Sequence, residues 1–454
     1  VYLVPPWEAP DELGHYGYVE SLYRDRQFPV LGENLYVEKG FVQLGKVSAG
    51  KLPAGKLSSG QNIAIPANAG VNWIAQHPPL YYIILLPLFS LLPHQDVYLS
   101  IFFLRLVSIL LGCLTLFLSF LTLQVLYPKK RLSNFAVVAG MAFLPGFSFI
   151  SSLINNDNLV YTLSAALFYF MAKYWKAEKK NNYEIFLGII LGLLALTKVT
   201  SLPLWGAVFI LIIIGWIGKN AGGSAEIKHD LKAGLFNLSV TIVKVFGLAI
   251  IICGAWYVRN LAIYGTLFPE LVGVVQKHPE LMDRFPDLSM IFPELVDAGK
   301  SSAPNFMKFI FEKNFLIEYY KNFWGGIGLP FRNLTLPQMI VIFSLTIFSL
   351  AGYLKAAIKK IINRENLIFL VPLILMSMAV SWKLYGIYLG RGLLGAMHGR
   401  YMYSVLLPFM FVFVRGLDYL FPSKWHTYVM VALVCFFVIS DFISLNYIVL
   451  PEFY

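Results

Sequence analysis

Charge is scarce in this 454-residue chain: Asp, Glu, Lys and Arg make up 13% of it, against about 25% in soluble domains. Hydrophobic residues make up 58%, and the mean hydropathy is +0.67. Those values exclude a soluble globular protein and indicate an integral membrane protein. Cysteine is scarcer still. Cys113, Cys253 and Cys435 each lie within an apolar run and read as packing residues, with no CxxC or Cys/His spacing to signal a metal site. No secretory signal pattern opens the chain. A phosphate-binding loop is also missing. "GKVSAGKLPAGKLSSG" nearly spells one from Gly50 to Lys56, but Leu57 stands where Ser or Thr must hold magnesium, and no strand precedes it. It reads instead as a flexible loop. The net charge of +11 is no nucleic-acid signature, because the excess sits in short loops between apolar runs.

What the chain does have is a succession of apolar runs approaching the roughly 20 residues that a spanning helix needs. Crossings are expected near 100–126, 134–152, 158–174, 184–198, 202–218, 235–258, 337–354, 367–385, 401–416 and 426–446. The fold expected is all-α: a polytopic transmembrane helix bundle with outward-facing loops that carry short helices. "YPKKRLS", "KYWKAEKKNNYE", the 219–232 loop and "LKAAIKKIINRE" are basic, while alternate loops such as "NNDN" have no Lys or Arg. The basic loops are therefore assigned to the cytoplasm. Residues 1–79 form a first outer loop, 80–258 the N-terminal transmembrane helices, 259–336 a long outer loop and 337–454 the C-terminal transmembrane helices. "PPLYYIILLPLFSLLP" at 78–93 is read as interfacial or re-entrant, since a crossing there would invert the charge alternation. An outward-facing N-terminal loop also implies one more crossing upstream of Val1.

Polar residues collect at the outer edge of the bundle. "PPWEAPDELGHYGYVE" sets Asp11, Glu12 and His15 among prolines and aromatics. "INNDNL" opens a helix with Asp157, and "LTKVT" puts Lys198 at a helix end. "WYVRNLAIYGTLF" places Arg259 where a helix emerges, and "LGRGLLGAMHGRYMY" places Arg391, His398 and Arg400 before the next one. Any one outer cation reads as a side chain snorkelling to headgroups. Several on one face, opposite two acidic sites, suit an anionic lipid headgroup better, because Arg offers phosphate a bidentate fork. Asp11 and Asp157 each have a plainer reading as helix N-caps. His15, four residues after Asp11 and on the same helical face, is a candidate for positioning an acceptor or metal, or an interfacial histidine.

In their order along the chain these motifs resemble the GT-C superfamily of membrane glycosyltransferases, which use polyprenyl-phosphate sugars. The likeness is to bacterial members related to protein mannosyltransferases and aminoarabinose transferases. "APDELGHYGYV" resembles the acidic motif of their first outer loop, and "QHPPLYYIILLP" a following K/H-P-P-L-x-Y segment. "NNDNL", "LTKVTSLPL" and "HGRYMYSVLLPF" resemble their second outer loop, an "LTK" helix end and an "RY…P" helix start. No WWDYG-like signature of oligosaccharyltransferases is present, and the tail carries no sizeable soluble domain.

The resemblance implies transfer of a sugar from a polyprenyl-phosphate donor to a lipid, glycan or protein acceptor, with inversion. It implies a multi-pass protein of the plasma (inner) membrane whose site faces the periplasm or exterior. Asp11 would be the catalytic base, with Glu12 orienting it or sharing a divalent metal. Asp157 and His15 would position acceptor or metal, and Arg400, Arg259, Lys198, Arg391 and His398 would hold the donor phosphate. Metal dependence stays open, with Asp11, Glu12 and Asp157 as the candidate ligands. Trp7, Tyr16, Trp73, Tyr81 and Tyr82 are candidates to stack on sugar or prenyl chain, or members of an interfacial aromatic belt. The rival from another class is a flippase for lipid-linked sugars. It is disfavoured by the absence of an internal repeat and by few ionisable residues at mid-membrane depth.

Overall fold

The computed structural model describes residues 4–6, 11–31, 73–93, 96–177, 182–220, 231–270, 273–274, 277, 306–312, 315–327, 332–391 and 398–453. Trp7, the Gly/Ser-rich loop and most of the 259–336 loop lie outside them. Among the described residues the regular structure is helical, apart from one isolated bridge between Ile327 and Arg332.

The outer segment forms α1 (Glu12–Asp25), and a short α2 (Leu80–Leu91) packs against it. Then come α3 (Val97–Leu126), α4 (Arg131–Ala142), α5 (Pro145–Ser151), α6 (Asp157–Lys176) and α7 (Tyr183–Ala195). After α8 (Pro203–Asn220) and α9 (Leu231–Tyr264), two short helices follow, α10 (Phe306–Glu312) and α11 (Phe315–Trp324). The chain finishes with α12 (Leu336–Ile358), α13 (Leu367–Arg391), α14 (Leu406–Leu420), α15 (His426–Ser444) and α16 (Leu450–Phe453).

Seven of these segments are long and apolar enough to cross a membrane, or eight if α4 and α5, bent by 62° at a short break, make one span. The expected crossings at 158–174 and 184–198 are helices but fall short of that standard. α6 carries Asp157, Asn158, Thr162 and Ser164 on its buried side, and α7 stops after 13 residues. α2 is 12 residues long with Pro87 inside it, about 18 Å at 1.5 Å per residue, too short to span.

The packing is that of a membrane bundle. α3 exposes Leu110, Leu114 and Phe117 and buries Ser108, Gly112, Thr115, Ser119 and Thr122 against its neighbours. Small residues let helix backbones approach, and their hydroxyls bond across the contact. Thr115 Oγ1 meets Thr162 Oγ1 of α6 at 3.0 Å. α12 crosses α14 at Gly352 and Gly416, where a Cβ on Gly352 would overlap the Gly416 carbonyl oxygen. α14 is the central helix, 72% buried against 17% for α9 at the rim.

Side-chain contacts tie the helix ends into two groups. Tyr127 after α3 donates to Asn366 before α13 at 2.5 Å, and Lys176 ending α6 pairs with Glu365 at 2.8 Å. Lys355 of α12 donates to the carbonyl of Leu420 at the end of α14. At the other end Asp11, Asp157, Lys198 and Arg400 meet.

Candidate active site

Asp11 sits immediately before α1 with a left-handed backbone, φ 65°. Asp tolerates that region better than most side chains do. It occupies the N-cap position, yet its carboxylate makes no capping hydrogen bond. Instead Oδ2 accepts from Arg400 NH2 at 2.6 Å and Oδ1 accepts from Trp73 Nε1 at 3.4 Å. The plain N-cap reading therefore does not account for this side chain. Burial pushes its pKa up, but the guanidinium of Arg400 outweighs that, and the carboxyl stays well below the usual carboxylate range.

Arg400 lies in the 3₁₀ turn Gly399–Val405 that leads into α14. Gly399 makes this possible, since any Cβ there would collide with the Asn322 carbonyl of α11. Tyr161 of α6 fixes the turn by donating to the Arg400 carbonyl at 3.1 Å. The guanidinium is buried, and its Nε lies 3.7 Å from Asp157 Oδ2. Among the described residues its Nε and NH1, like Asp157 Oδ2, have no hydrogen-bond partner.

Asp157 opens α6. Its backbone N–H donates to Asn155 Oδ1 at 2.9 Å in a turn just before the helix, whose N-cap is Asn156, and the Asp157 carboxylate is left for other work. Lys198, extended at the turn after α7, donates to Asp157 Oδ1 at 2.7 Å. The result is a chain of charges, Asp11–Arg400–Asp157–Lys198, drawn from four separate regions. Only Asp11 is substantially open, its side chain 36% exposed against 5% for Asp157.

Glu12 has another task. Its side chain is fully enclosed, and both oxygens meet Arg105 of α3, Oε1 at 2.8 Å and Oε2 at 2.6 Å. Oε1 also accepts the Ile154 N–H at 3.1 Å. The expectation that Glu12 orients Asp11 directly or shares a metal with it does not match this placement. Glu12 ties the start of α1 to α3 and to the 152–156 turn before Asp157. Arg105 was not among the expected site residues. The signal for it was an ionisable side chain inside a spanning run, which is rare and rarely idle.

His15 is buried one turn beyond Asp11, stacked between His77 and Tyr82, with Nδ1 2.9 Å from the Tyr82 hydroxyl. Burial holds its pKa down to about 3, so it is neutral at ordinary pH. Tyr18 stacks on Tyr82 at 3.7 Å, and Tyr81 donates or accepts at Ser108 of α3. Tyr16, Tyr81 and Tyr82 are buried with α1 and α2 rather than lying in a surface belt. His398 packs edge-on against Tyr401 at 5.4 Å. Burial, then Arg400, pushes its pKa down to about 3.

Arg259 stands outside the charge chain. Its guanidinium lies over Trp256 at 4.7 Å and donates to the Phe28 and Pro29 carbonyls, securing the segment after α1. Arg391 ends α13, and its side chain lies outside the described residues. Lys383 of α13, not anticipated, holds its ammonium over the Tyr401 ring at 4.8 Å. Its charge acts on Asp157 and Arg400.

The expected metal ligands do not come together. Asp11 is engaged by Arg400, Asp157 by Lys198, and Glu12 by Arg105. Among the described residues no group of three His, Cys, Asp or Glu side chains is placed to hold a metal ion. The cluster as found, two carboxylates beside Arg400, Lys198 and Lys383, suits an anion rather than a dication.

Residues 76–224 match the family model of dolichyl-phosphate-mannose-protein mannosyltransferases. That match, over about a third of the chain, bears out the mannosyltransferase side of the resemblance read from the sequence and spans the His77 motif, Asp157 and Lys198. Among curated proteins none matches. The crystal structure of ArnT from Cupriavidus metallidurans in the apo state is similar over 98% of this chain and 69% of that one. The TM-score is 0.45 and the identity 12%, too loose a likeness to place any residue.

Proposed function

We propose, from the premise that this chain is a multi-pass membrane glycosyltransferase of the kind that matches residues 76–224, that the Asp11–Arg400–Asp157–Lys198 chain is its active site. The donor is a dolichyl- or polyprenyl-phosphate sugar. The reaction is a single displacement with inversion at the anomeric carbon, on the outer face of a plasma (inner) membrane. The acceptor is a lipid, glycan or protein whose hydroxyl or amine attacks that carbon. The bond to the phosphate oxygen breaks, Asp11 takes the proton, and polyprenyl phosphate leaves.

The observation that carries this reading is the state of Arg400. One of its nitrogens holds Asp11, while its buried Nε and NH1 have no hydrogen-bond partner among the described residues. A group so placed is poised for an incoming anion, since a buried donor left without a hydrogen bond is costly to keep even beside an opposite charge. While Arg400 holds it, Asp11 is a poor base, because its proton affinity is depressed. A donor phosphate that draws the guanidinium toward itself weakens that pair and restores basicity. Phosphate binding then both seats the donor and arms the base. Lys198 and Asp157 keep Arg400 from following the phosphate out of place. As charge builds on the departing phosphate, these fixed cations stabilise it electrostatically, an effect often worth a few kcal/mol.

The test is turnover in nanodiscs with a panel of polyprenyl-phosphate sugars, wild type against Asp11→Asn, reading release of polyprenyl phosphate. Release that depends on Asp11 supports the transferase. Lipid-linked sugar moving across the bilayer without cleavage, whatever stands at residue 11, would overturn it in favour of a flippase.

A further inference from the structure

At the end of the bundle opposite Asp11, a cavity of about 270 Å³ opens between the ends of α6, α8 and α9. Its lining includes Tyr174, Trp175, Trp216, Asn237, Thr241 and Arg364. Arg364, just before α13, reaches across to this cavity. Its guanidinium lies 5.2 Å from the Trp175 ring centre and donates to the carbonyls of Ile214 and Gly215 in α8. Gly218 is what admits it, because a Cβ there would occupy the space of the guanidinium.

The adjacent carboxylate, Glu365, is held by Lys176 at 2.8 Å. Lys359 and Lys360 are exposed close by in sequence, on the same basic stretch. Arg364 brings a positive charge to the cavity, the walls are aromatic, and Asn237 and Thr241 supply uncharged polar groups. Outside the cavity α9 presents Leu235, Phe236 and Val243 as exposed apolar surface. Trp and Tyr settle at headgroup level, and basic pockets between transmembrane helices on the cytoplasmic side hold anionic headgroups.

We propose that this cavity seats the phosphate headgroup of an anionic phospholipid, with Arg364 as the anion-binding group and the acyl chains lying along the apolar face of α9. The site is separate from the one that handles the sugar donor, and it stands whether or not the reaction proposed above is correct. A bound lipid here ties α9, the least enclosed span, to α6 and α13.

The experiment uses the intact chain in a neutral detergent and counts retained lipid by native mass spectrometry. The probes are phosphatidylglycerol, phosphatidylcholine and inorganic phosphate. Saturable retention of one phosphatidylglycerol, unaffected by millimolar phosphate and well above that of phosphatidylcholine, is expected. Arg364→Gln should weaken it about tenfold, the loss of one charge-assisted hydrogen bond. Thr241→Phe fills the cavity while leaving the partners of Arg364 in place, and should weaken retention likewise. Equal retention of the two lipids, displacement by inorganic phosphate, or wild-type retention in both variants would each overturn the proposal.

Discussion

Glu12 and Arg105 meet as a two-pronged ion pair in the interior of the protein, with the Glu12 side chain fully enclosed and that of Arg105 2% exposed. Breaking a buried pair by removing one partner leaves the other charge unpaired and typically costs about 3–5 kcal/mol. Arg105→Met should therefore lower the thermal midpoint in detergent sharply. Arg105→Met with Glu12→Gln should recover part of the loss. Equal stability of Arg105→Met and wild type would show that the pair is not holding α1 in place.

Asp11→Asn keeps the size of the side chain and removes the base. Turnover should fall about 10²–10⁴-fold, the usual contribution of a positioned proton acceptor. Donor affinity should change little or tighten, because Arg400 loses its competing carboxylate. Near-full activity in this variant would remove Asp11 from the chemistry.

Arg400→Lys preserves charge but not the fork that spans Asp11 and Asp157. The donor KM should rise about tenfold or more, with folding retained as read by the thermal midpoint. An unchanged KM would mean that the donor phosphate is held elsewhere, with Lys198 and Lys383 the next residues to test.

His15 gives stability a pH dependence of known sign. Its folded pKa is about 3, against an ordinary 6.5, because burial disfavours the charged ring. Between those values the unfolded chain binds the extra proton, so this contribution is complete above about pH 6.5 and is lost as pH falls toward 3. Asp11, depressed as a carboxylate, loses its contribution in the same direction, at lower pH, below the ordinary 3.8. His15→Gln should flatten the thermal midpoint between pH 6 and 4 relative to wild type. Parallel curves for the two proteins would contradict the assignment.

Gly352→Val should separate α12 from α14, since even a Cβ overlaps the Gly416 carbonyl. Overpacking of this kind costs about 1–3 kcal/mol. Gly386→Ala in α13, where a Cβ would meet nothing within 4 Å, is the control and should behave as wild type.

The helical membrane class was legible because apolar runs and basic loops are features of composition, and every expected crossing is helical, though 134–152 is broken between α4 and α5. Span number was harder to read. α6 is enclosed by other helices and so need not be apolar throughout, while α7 is apolar but ends after 13 residues, and a hydropathy reading fixes neither enclosure nor where a helix stops. Asp11, Asp157, Lys198 and Arg400 were legible as polar residues at helix ends. Their pairing was not, because it depends on how ends far apart in sequence converge. Glu12 misled for a local reason: adjacent to Asp11, it begins a helix and so points another way, into Arg105. Arg259 misled because an outer cation looks the same whether it faces a ligand or two backbone carbonyls.

Asp11 and Arg400 are separated by 389 positions. At about 5–20 residues per second of synthesis, the acid leaves the ribosome roughly 20–80 s before its partner does. Through that interval the carboxylate is without the cation that restrains it. A chain terminated anywhere before residue 400 would lack the Asp11–Arg400 pair altogether. The pair therefore forms late in biosynthesis, once the turn before α14 has been made and can close onto the segment before α1.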